Sequence, residues 1–227
     1  MESDVDAEVE RMAQADDSFH EPVTDGSVDV DRYAASRPRI LWILKEPWEE
    51  LSEGEKGGGW SVSKHVAAKG ITKNRGALPM MAYVSYSIAN GFPGYDDMPW
   101  AASSAEVADS LKRIAIVNIK KSPGKKTSYP PEIARHYARN RSLLLRQIKI
   151  LRPEIIIGGN TLFHFFADLE LSAEDFNKER SAWFLSHSGT LFIHAAHPAR
   201  RGSNRVYVDE IVSIIKENYA PLDGTTI

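Results

Sequence analysis

Apolar residues fall in four short, uninterrupted runs, separated by segments with helical spacing. The runs cover residues 40–44, 114–117, 155–157 and 191–193. Each run is apolar at successive positions rather than at alternate ones, which is typical of parallel strands covered on both faces. The pattern therefore predicts four buried strands.

Apolar residues at helical spacing occupy the intervening segments. We expect helices over residues 61–69, 79–90, 104–112, 131–151, 160–168 and 206–219. Strands that alternate with helices predict an α/β fold with three layers, α/β/α, around a central, mostly parallel four-stranded sheet. The chain has 227 residues, enough for one sizeable core, which we expect to span residues 37–227.

The helix expected from residue 131 has the clearest start signal. Pro130 and Pro131 lie at its start, and Glu132 complements the positive end of the helix dipole. Arginines occupy most positions outside its apolar face, so this helix can pack on a sheet while its other face stays basic.

Charge is unevenly distributed along the chain, whose net charge is −3. Residues 1–31 contain eleven acids and one base, so we expect residues 1–36 to form an acidic leader that is solvated and partly flexible. Residues 111–152 contain twelve bases and one acid. Such a basic face suits a phosphate backbone, although an ordinary solvated helix face with a lysine loop has the same composition.

The chain contains no cysteine, which excludes disulfides, thiolate zinc sites, iron–sulfur clusters and a cysteine nucleophile. Its apolar runs are too short to span a membrane, and its first thirty residues do not resemble a secretory signal. From these features we expect a cytoplasmic protein with no cofactor, no metal and no membrane partner.

Ligands of open parallel sheets bind beyond the carboxyl ends of the strands, so the residues after each predicted strand are the candidates for chemistry. These segments cover residues 45–48, 118–124, 158–161 and 194–202. Together they supply a carboxylate, an amide, a glycine turn, and a histidine beside arginines. Such a set can activate water, read the edge of a base and stabilise an anion.

The order of four short motifs resembles the uracil-DNA glycosylase superfamily over roughly residues 38–219. The motifs are Leu44-Lys45-Glu46-Pro47-Trp48, Val117-Asn118 with the basic loop after it, the proline–strand–glycine segment over residues 151–161, and His197-Pro198-Ala199. The resemblance implies a monofunctional, monomeric DNA glycosylase. Such an enzyme flips a pyrimidine out of double-stranded DNA and hydrolyses its N-glycosidic bond, which leaves an abasic site.

The resemblance also implies roles for individual residues. Glu46 would orient water and stabilise the sugar cation, with Glu49 and Glu50 as nearby substitutes, and His197 would donate to the base as negative charge develops on it. Asn118 would read the base edge, with Trp60 and Trp48 as aromatic neighbours of the flipped base. DNA contacts would come from Lys120, Lys121, Lys125, Lys126, Arg200 and Arg201.

Each of these residues also has a plainer interpretation. Glu46 would be a strand-end acid paired with Lys45 or a loop lysine, Asn118 a turn residue, the tryptophans core aromatics and the basic residues a solvated surface. Three histidines, His187, His194 and His197, lack the spacing typical of a metal site.

Some positions depart from the superfamily pattern. The four cysteines of its iron–sulfur members are absent, Trp48 stands where a smaller residue or tyrosine is common, and Ala199 replaces a serine. The sequence therefore leaves two substrates open: uracil, and a bulky modified cytosine such as the glucosylated hydroxymethylcytosine of phage DNA. It also leaves open whether the enzyme serves DNA repair or antiviral defence. A catalytically silent DNA-binding module and a nucleoside or nucleotide hydrolase are the alternatives.

Overall fold

The computed structural model describes residues 20–73, 76–124, 127–200 and 202–220. In this part of the chain six strands form one sheet. They are β1 (Gly26–Ser27), β2 (Ile40–Leu44), β3 (Ile114–Asn118), β4 (Ile155–Gly159), β5 (Trp183–His187) and β6 (Thr190–Ala195).

The sheet has the strand order β1-β3-β2-β4-β6-β5. Its four central strands are the four predicted from the apolar runs, and they pair in parallel. The two outer strands, β1 and β5, pair antiparallel to their neighbours. The α/β class is thus confirmed, but the prediction of a four-stranded sheet is wrong, because the sheet is mixed and has six strands.

The two unpredicted strands lie at the edges and lack a long apolar run. The first edge strand, β1, is only two residues long, and β5 is partly exposed along most of its length. A strand at an edge is covered less completely than a central one, so its sequence carries a weaker hydrophobic pattern.

Helices cover both faces of the sheet. They are α1 (Val30–Ala35), α2 (Val62–Lys69), α3 (Ala77–Ala89), α4 (Ala105–Asp109), α5 (Pro130–Leu151) and α6 (Asn204–Asn218). Residues of α2, α3 and α6 share one core with Trp42 and its alternate neighbours in the strands. Residues of α5 share the second core with Leu41 and Ile43 on the opposite face.

The helix expected over residues 160–168 is absent. In its place there is a short 3₁₀ helix, Leu162–Phe165, followed by turns. Asn160 has a positive φ of 59°, and its N–H donates to the Ala195 carbonyl, while the Thr161 hydroxyl donates to the Ile43 carbonyl. These bonds fix a tight turn against the strand ends that a regular helix from residue 160 would not fit.

Residues 23–36, which the charge pattern assigned to the leader, are integrated into the domain. They contain β1 and α1, and the Asp25 carboxylate is fully buried. It accepts hydrogen bonds from Lys121 Nζ at 2.7 Å and Gln147 Nε2 at 3.0 Å. This acid is therefore a structural ion-pair partner rather than a solvated charge.

Replacing Asp25 by alanine should destabilise the fold strongly. The change would leave the buried Lys121 ammonium without its anion, which costs about 3–5 kcal/mol when one partner of a buried pair is removed. Urea denaturation of the full chain measures the loss. The matched control is Asp175→Ala at an exposed position outside the helices, where a change below about 0.5 kcal/mol is expected. Equal stability of the two variants would contradict the role of Asp25.

Candidate active site

The loops that follow β2 and β3 run side by side beyond the sheet. The N–H groups of Ile119 and Lys120 each donate at 2.9 Å to the carbonyls of Leu44 and Lys45, respectively. These bonds continue the parallel pairing past the strand ends. They place Glu46, the residue after Lys45, against the loop that carries Lys120.

The Glu46 carboxylate is buried and only partly satisfied. Its side chain is 6% exposed, and Oε2 lies 3.6 Å from Lys120 Nζ. The other oxygen, Oε1, has no hydrogen-bond partner among the described residues. Buried polar atoms of this kind nearly always have a partner, so Oε1 is an acceptor available to a water molecule or a ligand.

Gly124 leaves the space that the Glu46 carboxylate occupies. A Cβ atom at Gly124 would lie 2.0 Å from Glu46 Cδ, far inside van der Waals contact. The Gly124 N–H donates to the Pro47 carbonyl at 2.8 Å, which fixes this approach. A side chain at position 124 would therefore displace the carboxylate.

Lys120 is enclosed between two carboxylates. Its Nζ lies 2.9 Å from Glu132 Oε1, at the start of α5, and the side chain is 9% exposed. The hydrogen bond from Lys120 lowers the pKa of Glu132. Lys120 is thus committed to Glu46 and Glu132, and the prediction that it contacts phosphate is not supported by this geometry.

A groove of about 900 Å³ opens at Glu46. Its lining includes the exposed aromatic side chains of Trp48 and Tyr129. The charged residues of the lining comprise one lysine, Lys120, and six glutamates: Glu46, Glu49, Glu50, Glu53, Glu55 and Glu132. The described wall of the groove is therefore strongly acidic.

His197 is a neutral hydrogen-bond donor at neutral pH. Burial, together with the nearby Lys45 charge, lowers its pKa to about 4. Its Nδ1 accepts a hydrogen bond from the Ala199 N–H at 3.1 Å, so the ring proton resides on Nε2. The loop thus selects the tautomer in which Nε2 donates.

His197 and Glu46 lie on opposite sides of the end of β2. A Cβ at Gly159, the last residue of β4, would lie 2.9 Å from Leu44 Cδ2 and 3.6 Å from His197 Cα, so the His197 loop reaches the end of β2. Lys45 acts electrostatically on His197, while Glu46, the next residue, contacts Lys120 after β3. Both predicted catalytic residues therefore lie at the same edge of the sheet, but the described lining of the groove at Glu46 includes neither His197 nor Asn118.

Asn118 does not present its amide in the way the sequence suggested. The residue is 3% exposed, and its backbone N–H and Nδ2 both donate to Asp25 Oδ2, at 2.7 and 3.2 Å. One of the two amide N–H donors is used by Asp25 and the residue is almost fully buried, so Asn118 is not open to the edge of a base. Its role in this structure is to hold the end of β3.

Lys121 is also buried, and its ammonium group is paired inside the protein. It is 1% exposed and donates to Asp25 Oδ1 and, at 2.9 Å, to Gln147 Oε1. Burial lowers the pKa of Lys121, and the Asp25 charge opposes that shift. A lysine buried in this way does not contact phosphate, which corrects the prediction for this residue.

The two candidate tryptophans differ in environment. Trp60 is partly buried; its Nε1 donates to Glu49 Oε2 at 3.1 Å, and its ring contacts His65 at a centroid distance of 5.2 Å. Trp60 thus fits the interpretation as a structural aromatic. Trp48, in contrast, is 58% exposed and lines the groove.

Arg200 folds back onto α6 instead of extending from the surface. Its guanidinium lies 4.0 Å from the centroid of the Tyr207 ring, and one nitrogen donates to the Ser203 carbonyl at 2.6 Å. In this conformation it does not project toward a DNA groove. The other basic candidates, Lys125, Lys126 and Arg201, lie outside the described residues.

Four residues at this edge were missed at the sequence level: Asp25, Gly124, Tyr129 and Glu132. Gly124 and Tyr129 flank the basic loop after β3, where a glycine and an exposed aromatic beside the Pro-Pro pair were available signals. Asp25 was counted with the solvated acids, and its partner Lys121 lies 96 positions away.

The sequence matches no protein-family model, and a search of curated proteins finds no match. Among the described residues, no cluster of three or more His, Asp or Glu side chains has the arrangement of a metal site. No helix of the described ranges combines the length and apolar character needed to cross a membrane.

The electrostatic link between Lys45 and the two neighbouring histidines can be tested by titration. Burial, and secondarily Lys45, lowers the pKa of both His164 and His197. Removing the positive charge in Lys45→Met favours the protonated imidazoles, so both pKa values should rise. NMR titration of the imidazole signals measures the change, with His194, whose pKa is lowered by burial alone, as the internal control. Unchanged values for His164 and His197 would contradict the arrangement.

Proposed function

We propose that the chain is a DNA glycosylase that hydrolyses the N-glycosidic bond of a flipped pyrimidine at the edge containing Glu46 and His197. The observation that carries the proposal is the buried Glu46 carboxylate, whose Oε1 has no hydrogen-bond partner in the part of the chain that the structure describes. A carboxylate in this state can bind the attacking water and stabilise positive charge on a sugar.

The reaction divides between the two residues. Glu46 accepts a proton from water as the water oxygen bonds to the anomeric carbon. The bond from that carbon to the base nitrogen breaks, and its electron pair leaves with the base. His197 donates from Nε2 to the base carbonyl oxygen, which stabilises the leaving anion.

Neutrality of His197 suits this role. With a pKa of about 4, the imidazole is uncharged at neutral pH, and its tautomer is fixed by the Ala199 N–H. A preoriented neutral donor stabilises developing charge without requiring a protonation step. The lowered pKa thus supports electrostatic rather than general-acid assistance.

The order of motifs and the parallel arrangement of the central strands support a uracil-DNA glycosylase-like fold. The outward face of α5 supports double-stranded DNA as the partner, since its arginines and lysine at 135, 139, 146 and 149 are exposed. Phosphates are expected to bind there rather than at Lys120 and Lys121. We propose a monomer that acts without a metal or cofactor, on genomic or phage DNA.

The acidic groove favours a second candidate, a nucleoside hydrolase. Among the described lining residues, six glutamates against one lysine repel phosphates but not an uncharged nucleoside. This candidate predicts release of the base from free nucleosides and DNA affinity too weak to show a salt dependence. The glycosylase predicts activity on DNA and a steep loss of binding as salt rises.

Replacing Glu46 by glutamine should abolish base release and leave DNA binding intact. The amide is nearly isosteric but accepts no proton from water, so a loss of about 10²–10⁴-fold in rate is expected. The assay incubates wild type and variant with DNA that contains uracil, hydroxymethylcytosine or glucosylated hydroxymethylcytosine, and scores free base and alkali-labile sites.

The matched control is Glu174→Gln, the same change at an exposed position outside the lining of the groove. It should keep wild-type activity. Base release by E46Q at the wild-type rate would overturn the role of Glu46. If wild type forms no abasic sites on any of the three DNAs but still binds DNA, the chain is a silent DNA-binding module.

A further inference from the structure

The Lys45 ammonium is a cation without a counter-ion at the carboxyl edge of the sheet. Lys45 is partly buried, and among the described residues its side chain has no hydrogen bond and no ion pair. Burial, and secondarily the Lys45 charge, lowers the pKa of both His164 and His197, so this charge acts on two neighbouring neutral imidazoles. A partly buried charge is stabilised by an opposite charge, so this position favours an anionic ligand.

Phe163 is the exposed apolar side chain of the turn that follows β4. It is 49% exposed, whereas Leu162 and Phe165 in the same turn are fully buried, and hydrogen bonds to the ends of β2 and β6 fix the turn. The Phe163 ring packs on His164 and His194, with centroid distances of 4.2 and 6.0 Å. Nδ1 of His194 is buried and has no hydrogen-bond partner among the described residues, a state that a bound water or ligand would relieve. An aromatic side chain held in this way, with about half of its surface open, is suited to stacking on a nucleobase.

The parallel strands bring Lys45 and Phe163 to one corner of this edge. The central strand β4 lies between β2 and β6 and pairs in parallel with both, so the residues after these three strands emerge side by side. His164 joins the two groups, because its ring contacts Phe163 and, after burial, the Lys45 charge lowers its pKa. The His197 loop lies on the other side, since His197 Cα is 3.6 Å from the position of a Cβ at Gly159. We name the surface formed by Lys45, Phe163 and His197 the Lys45 corner.

The polar groups around the Lys45 corner do not supply the missing anion. Asp168, which accepts from the hydroxyl of Tyr137 where that ring stacks on the imidazole beside Phe163, also accepts from Arg141 Nε at 2.6 Å and is already paired. The strand ends and turns that form the corner all belong to the described residues, and the next residue of the histidine loop, Arg201, is a further cation. The Lys45 charge is therefore available to a ligand.

We propose that the Lys45 corner binds one unpaired nucleotide, with its phosphate on the Lys45 ammonium and its base stacked on Phe163. A nucleotide combines an anion with a flat aromatic ring, which are the two partners that this corner lacks. The inference rests on the proposed function, since it takes the nucleotide to belong to DNA held at the edge with His197. Within that function it assigns a phosphate contact and a base contact to residues that the sequence motifs did not indicate.

The phosphate contact is tested by a double-mutant cycle between the full chain and DNA, with affinities from fluorescence anisotropy. The probes are duplexes with one deoxyuridine fluorinated at the sugar carbon next to the anomeric carbon, which resists base release. Single phosphates near it are replaced in turn by uncharged methylphosphonate. For wild type, one replacement should weaken binding about tenfold, the scale of one hydrogen bond to a charged group. In Lys45→Met the same replacement should have no effect, because the contact is already lost, and the slope of log K against log salt should fall by about one.

The matched control is Lys216→Met, which removes an exposed lysine in the last turn of α6. The Tyr219 hydroxyl, just after this turn, donates to Glu154, which precedes β4, so the control lies at the opposite edge of the sheet. This variant should keep the full effect of the methylphosphonate replacement.

The base contact is tested by fluorescence of two labelled duplexes. In one duplex the target base is pyrrolocytosine, and in the other the base opposite the target is 2-aminopurine. Emission of either base is high when it is unstacked and falls when it stacks on an aromatic ring. Phe163→Ala should raise the emission of one bound duplex and weaken its binding about tenfold, and the duplex that responds shows whether the flipped base or its former partner is bound. Trp100→Ala, which removes an exposed aromatic outside the corner, should change neither.

Two results would each overturn the inference. One is a methylphosphonate effect that persists in Lys45→Met at every position. The other is emission that Phe163→Ala leaves unchanged in both duplexes.

The outcomes also separate this inference from the proposed function. Base release from DNA by wild type, with no coupling of binding to Lys45 or Phe163, would overturn the nucleotide site and leave the glycosylase proposal standing. Coupling to both residues, with no base released from any DNA, would support the nucleotide site and overturn the glycosylase.

Discussion

The burial of one carboxylate, that of Glu46, is the constraint on which the rest of the site depends. A buried carboxylate costs several kcal/mol unless a cation and hydrogen bonds compensate it. Here the loop after β3 supplies both the cation, Lys120, and the space, at Gly124. That loop stays in register because its backbone continues the parallel pairing beyond the strands. The sheet thus sets the position of the carboxylate, and its Oε1 has no hydrogen-bond partner within residues 20–73, 76–124, 127–200 and 202–220.

The net charge of the chain does not show that the fold places its basic and acidic residues in different regions. Lys120 and Lys121 point inward and are neutralised by Glu46, Glu132 and Asp25. The basic residues on the outer face of α5 stay exposed, whereas the groove at Glu46 is lined with acids. In the proposed function this arrangement keeps the phosphate backbone on α5 and leaves the edge with Glu46 to an uncharged base.

Much of the central fold follows from local pattern, whereas the site depends on contacts between distant residues. The four central strands are recognisable because both their faces are covered, which leaves uniformly apolar runs. The short β1 and the half-exposed β5 lack such runs, and the turn at Asn160 is fixed by bonds to other strands rather than by its own sequence. At the site, the positions after the strand ends led to the prediction of Glu46 and His197, which both lie at the same edge of the sheet. The pairings of Lys121 and Asn118 with Asp25 could not be predicted from the sequence, because ninety or more residues separate the partners.

The most direct test is a crystal structure of the chain bound to duplex DNA with a deoxyuridine fluorinated at the sugar carbon next to the anomeric carbon. Fluorine there disfavours the sugar cation and should preserve the intact nucleotide. The account predicts that the flipped nucleotide lies between Glu46 and His197, with a water hydrogen-bonded to Glu46 Oε1 and facing the anomeric carbon. A nucleotide bound elsewhere, or a Glu46 carboxylate with no water and no contact to the sugar, would contradict it.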